Sequence, residues 1–141
     1  MSVASPLPHD SAALHVTGQA QYVDDVPTPN GTLHLAFGLS SIAKGEIQEM
    51  DLSAVRAAPG VVLVLTADDL PFENDVSPSI HDEPLLSDGK VHHLGQPLFL
   101  VVAESHELAR KAARKGTVSY REETPLLTID EAMAVGSHFE D

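Results

Sequence analysis

The fold of this chain depends most on residues 95–123, GQPLFLVVAESHELARKAARKGTVSYREE. The stretch predicts a strand, a helix and a second strand in close succession. Residues 98–103, LFLVVA, form a continuous apolar run, which is typical of a strand buried on both faces. Ser105 stands where a helix N-cap belongs, and Gly116 stands where the helix should end in a left-handed residue. Because strand–helix–strand units usually pair their strands in parallel, we expect these two strands to share one sheet.

Elements that precede this stretch complete the predicted sheet. Residues 33–39 alternate apolar with polar or small side chains, which predicts a half-buried strand. Residues 61–66, VVLVLT, form a second continuous apolar strand, so at least one layer of helix must cover the sheet. Residues 51–60, DLSAVRAAPG, predict a short helix. The predicted fold class is α+β, a mixed sheet with helices packed on it, in one domain over residues 1–141.

Three segments are predicted to lie outside the main elements. Residues 1–13 are polar and contain prolines, and we expect an extended lead-in there; residues 19–23, QAQYV, form a short possible strand after it. Residues 71–90 contain three prolines and no periodic pattern, which predicts a long acidic loop of the kind that is usually functional or disordered. The acidic side chains in this loop and just before it are Asp68, Asp69, Glu73, Asp75, Asp82, Glu83 and Asp88.

Composition excludes several classes of function. The chain has 21 acidic and 8 basic residues and a formal net charge of −13, which argues against binding to nucleic acid or to an anionic membrane. It has no cysteine, so it can hold no disulfide, thiolate metal site or iron–sulfur cluster. The first ten residues lack the basic and apolar regions of a signal peptide, and no apolar run is long enough to span a membrane. We therefore expect a cytoplasmic protein.

Histidines and the acidic loop are the candidates for a metal site. His92 and His93 are adjacent, so on a strand they point to opposite faces and do not readily bind one ion. His81 with either of them and with the loop carboxylates would form a site, but the sequence has no compact HxH or HExxH spacing. A stand-alone module that binds a small ligand or a metal stays open as an alternative function. The competing interpretation is a solvated acidic loop with surface histidines.

Motifs of nucleophilic catalysis and phosphate binding are missing. The sequence contains no GxSxG, no GxGxxG and no Walker loop. Glu104 and Ser105 stand at the strand–helix junction, where a carboxylate would repel a phosphate. Residues 95–97, Gly-Gln-Pro, would either approach a ligand or simply turn the chain before a strand. Half of the basic residues lie on the central helix, where we interpret them as a solvated face that complements the helix dipole: Arg110, Lys111, Arg114 and Lys115.

Four blocks of the sequence together resemble a known family. The blocks are HVTGQAQYVDDVP (residues 15–27), PGVVLVLTADDLP (59–71), DEPLLSDGKVHHLGQPLFLVVAESHELARKAA (82–113) and VSYREETPLLTIDEAM (118–133). In this order they are similar to the N-terminal a/b hammerhead domain of the molybdenum-binding subunit in the xanthine dehydrogenase and aldehyde oxidase family. The likeness covers about residues 9–139. It is nearest to the bacterial two-subunit xanthine dehydrogenases, because Met1 directly precedes the first block.

The resemblance implies an oxidoreductase when the subunit is complete. Enzymes of this family hydroxylate a purine or aldehyde carbon, such as those of hypoxanthine and xanthine on the way to urate, with oxygen from water at a molybdopterin-bound molybdenum. Electrons then pass through 2Fe–2S clusters to FAD, and in dehydrogenases to NAD. The family's catalytic and cofactor-binding motifs have no counterpart here, and Glu122 and Glu123 match structural positions. We therefore carry over no catalytic, cofactor-binding or metal-binding residue, and expect the isolated fragment to be inactive.

The same resemblance implies the partners. We expect the domain to pack on the remaining molybdopterin-binding domains of its subunit and on an iron–sulfur/FAD subunit, and to expose apolar surface where those partners are missing. An aldehyde oxidase or another molybdenum hydroxylase is the alternative to xanthine dehydrogenase. The isolated fragment could also form a homodimer through an unpaired strand edge.

Overall fold

A computed structural model describes residues 6–137, and the described chain divides into two compact units, residues 6–32 and 33–137. The prediction that residues 1–141 form one domain stays a prediction. The first five residues of the predicted lead-in and the last four residues of the chain lie outside the described part.

The first unit contains one short helix and one turn of 3-10 helix. Helix α1 spans Ala12–Thr17, so it begins within the last residues of the predicted lead-in. The strand predicted at residues 19–23 is wrong, because Val23–Asp25 form the 3-10 turn instead. The Asp25 carboxylate accepts a hydrogen bond from the Tyr22 N–H at 2.9 Å, which satisfies locally a group that a strand would need to pair elsewhere.

The second unit holds all the strands of the described chain, in two sheets. Its elements are β1 (His34–Leu39), β2 (Gly45–Asp51), α2 (Ser53–Arg56), β3 (Val61–Leu65), a 3-10 turn (Ala67–Asp69), β4 (Lys90–Val91), β5 (Pro97–Ala103), α3 (His106–Ala113), β6 (Thr117–Glu122) and α4 (Ile129–Ala134).

The two sheets are antiparallel and have three strands each, in the orders β1-β5-β3 and β4-β2-β6. The α+β class is confirmed, but the predicted mixed sheet is wrong. The predicted parallel pairing of β5 with β6 is also wrong. Both edges of β5 are occupied, by β1 on one side and β3 on the other, so β6 pairs with β2 in the other sheet.

Helix α3 packs on the β1-β5-β3 sheet through small side chains. Ala109 and Ala112 are fully buried, and their size lets the helix lie close to β5. The predicted N-cap is confirmed, since the Ser105 hydroxyl accepts from the Leu108 N–H at 3.2 Å. The prediction that Gly116 adopts a left-handed conformation is wrong, because its φ is not positive. A glycine is needed there for space, because a Cβ would lie 2.7 Å from the ring of Phe99.

Strand β1 turns its small side chains inward. Gly38 is buried and Ala36 is partly buried, whereas the larger apolar residues Leu35 and Phe37 are 55% and 43% exposed. The prediction of a half-buried strand is confirmed, but its buried face is the opposite of the one that hydrophobicity favours. The predicted burial of residues 61–66 on both faces is also wrong, because β3 is an edge strand with only Val64 fully buried.

The short helix α2 is confirmed. Leu52 and Val55 are buried at 2% and 0% exposure and fill the space beside β3. The Asp51 carboxylate accepts a hydrogen bond from the Ser53 N–H at 2.9 Å, which fixes the entry to the helix. Residues 71–89, all of them described, contain no helix or strand, and β4 begins at Lys90.

Candidate functional site

The outer face of the β1-β5-β3 sheet is an extended apolar surface of the second unit. We call it the open face. Strand register aligns its side chains in two rows across the three strands, one of Leu35, Val102 and Leu63, the next of Phe37, Leu100 and Leu65. Leu33, Leu39 and Val62 extend it, at 45%, 56% and 56% exposure. A continuous apolar sheet face of this kind marks an interaction surface.

Strand β5 explains why one face is open. Its inner side chains Phe99, Val101 and Ala103 are at most 2% exposed, because α3 covers that face. Its outer side chains Leu100 and Val102 are only partly buried, between the neighbouring strands β1 and β3. The apolar run 98–103 is therefore typical of a strand buried on both faces, but this unit covers only one of the two faces.

A polar hub fixes the end of this sheet. The Gln96 side chain is buried; its Oε1 accepts from the His92 N–H at 2.7 Å and its Nε2 donates to the Lys90 carbonyl at 3.2 Å. The Ser40 hydroxyl accepts from the Gln96 N–H at 3.1 Å and donates to the His93 carbonyl at 2.9 Å. Residues 95–97 thus turn the chain and join β5 to the end of β1, which favours the structural interpretation of that motif over ligand contact.

A cleft of about 630 Å³ opens between the outer edge of β1, the second half of α3 and strand β6. We call it the arginine cleft, because it is lined by Arg110 on α3 and by Arg114, the C-cap residue that directly follows α3. Phe37 and Leu39 come from β1, and Tyr120 comes from β6. Strand β1 thus borders both the open face and the cleft.

The basic cluster on α3 separates into two kinds of residue. Lys111 pairs with Glu107 one turn earlier, at 2.6 Å, and this contact lowers the pKa of Glu107. Arg110 and Arg114 form no ion pair with any residue in the described range 6–137. The interpretation of the cluster as a solvated, dipole-complementing face therefore fits Lys111, while the two arginines are held at a concave surface.

The acidic loop uses several of its carboxylates as internal hydrogen-bond acceptors. The hydroxyl and the N–H of Ser77 both donate to Asp75, and the His81 ring makes a further contact with it, so the pKa of Asp75 falls from 3.8 to about 2. Asp69 accepts from the N–H and hydroxyl of Thr66, both at 2.8 Å, which lowers its pKa. These carboxylates therefore stabilise the local backbone conformation through hydrogen bonds to nearby residues.

The predicted histidine site is only partly assembled. His92 and His93 line a pocket of about 280 Å³ with Asp82 and Glu83, but His81 lies against Asp75 instead. Among residues 6–137 no group of three or more His, Asp or Glu side chains is placed to hold a metal ion. The arrangement gives the metal-binding alternative no support.

Glu122 and Glu123, which the resemblance places at structural positions, lie at the end of β6 and just after it. The Glu123 carboxylate is 3.8 Å from the Lys44 ammonium and 3.9 Å from the Arg121 guanidinium. Arg121 itself lies 2.6 Å from Glu46, across the pair of strands β6 and β2.

None of the described helices is both long and apolar enough to cross a bilayer.

The resemblance predicted exposed apolar surface, but the sequence did not locate it on the β1-β5-β3 sheet and did not indicate the arginine cleft. Both depend on which strands are neighbours, and neither β1–β5 pairing nor the distance from α3 to β6 is visible in a local pattern. One signal was present: the run 98–103 is apolar at every position, whereas the helices predicted around it offer only one narrow apolar stripe. A surplus of apolar sheet surface over helix surface points to a second covering layer.

Comparisons with known proteins agree in placing the chain. The sequence pattern of the family described as "Aldehyde oxidase and xanthine dehydrogenase, a/b hammerhead domain" matches residues 17–124. Xanthine dehydrogenase of Oryza sativa subsp. japonica is 40% identical over 136 residues, which are 96% of this chain and 10% of the relative. Aldehyde oxidase 1 of Rattus norvegicus is 41% identical over 139 residues, 98% of this chain and 10% of the relative.

The solved structures give the same picture. The aldehyde oxidoreductase from Desulfovibrio desulfuricans ATCC 27774 superposes with a TM-score of 0.84 at 31% sequence identity, over 92% of this chain and 16% of that chain. This chain therefore spans about a tenth of the length of the curated relatives that it matches.

Proposed function

Because this chain belongs to the aldehyde oxidase and xanthine dehydrogenase a/b hammerhead family, we propose that it is a non-catalytic scaffold domain of a molybdenum hydroxylase subunit. Its role is to pack, through the open face, on the molybdopterin-binding domains of the same subunit. An iron–sulfur/FAD subunit is the further partner of the assembled enzyme.

The open face is the observation that carries this proposal. Leu35, Phe37 and Leu63 are between 43% and 55% exposed on a sheet whose other side is covered by α3. Each such side chain contributes about 1.5–3 kcal/mol when it is fully buried, so a covering layer would gain much from this face. About nine tenths of the length of the curated relatives lies outside the matched region and can supply that layer.

We propose that the cofactors are held outside the described residues of this chain. The sequence has no cysteine to ligate an iron–sulfur cluster, and residues 6–137 offer no set of three side chains for a metal ion. We derive no catalytic step through molybdopterin, molybdenum, the clusters or FAD. The proposal places those groups in other parts of the enzyme, and the isolated chain is expected to be inactive.

The proposed activity of the complete enzyme is hydroxylation of a purine carbon. In the overall reaction a carbon-bound hydrogen is replaced by a hydroxyl whose oxygen comes from water, two electrons and one proton reduce NAD+ to NADH, and a second proton is released. Iron–sulfur clusters and FAD, held elsewhere in the enzyme, would supply the electron transfer. Hypoxanthine and xanthine, oxidised to urate, are the first substrates to test, in a cytoplasmic enzyme. Aldehydes are the alternative, because relatives named for either substrate are about equally similar to this chain. NADH formation with xanthine and with benzaldehyde separates the two.

A substitution of the open face in the complete enzyme tests the scaffold role. Leu35→Ser with Phe37→Ser removes apolar surface from β1 without changing charge. We expect loss of co-purification with the partner subunit and reduced molybdenum content, because the covering layer no longer packs on this face. The matched control is Ile80→Ser with Leu127→Ser, two apolar residues that are each 77% exposed outside the open face.

Circular dichroism and thermal unfolding of the isolated chain establish that both variants fold. A milder variant, Leu35→Thr alone, replaces the first if the double variant unfolds, since threonine keeps β-propensity. Normal assembly and molybdenum content with a disrupted open face would overturn the proposal.

A further inference from the structure

The outer edge of β1 carries unpaired backbone groups. Strand β1 is the first strand of its sheet and pairs only with β5. No other backbone or side chain among residues 6–137 hydrogen-bonds to His34–Leu39. The β1–β5 ladder shifts register between Gly38 and Leu39, so the regular part of this edge is His34–Gly38, which contains no proline or lysine and presents a template for another strand.

The two sides of this edge differ in chemistry. One side continues the open face, where Leu35 projects, and Phe37 lies at the border between this face and the arginine cleft, which it also lines. The other side is the arginine cleft, where Arg110 and Arg114 stand beside β1. A strand that paired with β1 would therefore place alternate side chains on an apolar face and beside two cations, because successive strand residues point to opposite faces.

We propose that the outer edge of β1 is a strand-addition site for an extended segment with alternating acidic and apolar residues. Its apolar side chains extend the open face, and its carboxylates pair with Arg110 and Arg114. The source of the segment is another domain of the same enzyme, and in this respect the inference rests on the proposed function.

A second copy of this chain does not fit the edge. Two β1 strands that paired with each other would bring two copies of the arginine pair to one junction, where like charges repel. The net charge of −13 adds a further repulsion between whole copies. Charge complementarity instead favours an acidic segment at this one locally basic cleft.

Peptide titration of the 141-residue chain tests the site. The probe is a nine-residue peptide of alternating glutamate and valine, N-acetylated and C-amidated, at low ionic strength. We expect saturable binding at peptide concentrations up to about 1 mM, and slower hydrogen exchange at amides of His34–Leu39. A peptide of alternating lysine and valine, which the net charge of −13 attracts to other parts of the surface, and the glutamate peptide with proline at its centre are expected not to slow exchange at His34–Leu39, because they lack the charge or the strand.

Matched charge variants identify the cations. Arg110→Ser with Arg114→Ser should weaken binding about twofold to thirtyfold, the range for two exposed ion pairs. Lys111→Ser with Lys115→Ser removes the same charge from the same helix and should change the affinity less than about twofold.

Four results would overturn the inference: no binding at about 1 mM peptide, equal losses in the two charge variants, slower exchange at β6 instead of β1, or dimerisation of the free chain through β1. The peptide experiment uses the chain alone, so it can fail while the scaffold role survives the assembly test. Normal assembly in that test would overturn the scaffold role and leave peptide binding to β1 unaffected.

Discussion

Phe99 decides which way β1 faces. It is the largest side chain that the described residues bury almost completely, and its ring occupies the place where Gly38 and Gly116 have no Cβ. A Cβ on Gly38 would lie 2.0 Å from the tip of the Phe99 ring. The small residues of β1 must therefore face the core, and the leucines and Phe37 are turned outward as a consequence.

Gly38→Ala is predicted to destabilise the chain by about 1–3 kcal/mol, the usual cost of overpacking a core. The methyl group would meet three ring carbons of Phe99 within 2.5 Å, and the ring is 2% exposed and has no room to move. The free energy of unfolding, measured by urea denaturation monitored by circular dichroism, checks this value.

Phe99→Leu provides the control for that clash. Leucine ends short of the ring tip, so Gly38→Ala in this background should cost less than about 1 kcal/mol, and the two substitutions should be strongly non-additive. Strictly additive losses would mean that the contact between these two residues does not set the orientation of β1.

At the scale of elements, helix caps and the periodicity of apolar residues located most helices and strands, but they did not indicate which strands pair with each other. Ser105 caps the start of α3 as predicted, because a cap bonds to residues within the next turn. The pairing of β5 with β1 and β3 joins segments about 40 to 65 residues apart, and no local pattern encodes that choice. The same holds for the arginine cleft, whose walls come from three separate elements.

Helices α3 and α4 have the same kind of N-terminal cap, but α3 buries residues in the core and α4 does not. Ser105 accepts from the Leu108 N–H, and Thr128 accepts from the Glu131 N–H, both at 3.2 Å. Helix α3 buries Ala109 and Ala112, whereas α4 buries no residue. A cap contributes to global stability only when its helix packs on the core that unfolds cooperatively.

Ser105→Ala is therefore predicted to lower the global free energy of unfolding by about 1 kcal/mol. Thr128→Ala is the matched variant and should change it by less than about 0.5 kcal/mol, while hydrogen exchange speeds up within Ile129–Ala134 only. Urea denaturation and amide exchange measure the two effects. Equal global losses in both variants would show that α4 belongs to the cooperative core.

At the scale of the whole molecule, net charge and exposed apolar surface have opposite effects on association between copies of the chain. The net charge of −13 at pH 7 keeps copies of the chain apart. The open face attracts, since burial of its side chains removes apolar surface from water. Only the first of these changes with pH: the sequence pI is about 4.8, where the repulsion between copies vanishes and the open face is unchanged.

Self-association of the isolated chain is therefore predicted to rise as the pH is lowered from 7.5 toward 4.8. Light scattering and sedimentation velocity should show a monomer at pH 7.5 and larger species near the pI. Leu35→Ser with Phe37→Ser should suppress those species because it reduces the open face at constant charge, whereas Ile80→Ser with Leu127→Ser should not. If both variants associate like the parent chain, the attraction comes from elsewhere on the surface. The open face is then not the apolar surface that drives association, and the proposal that another domain covers it fails.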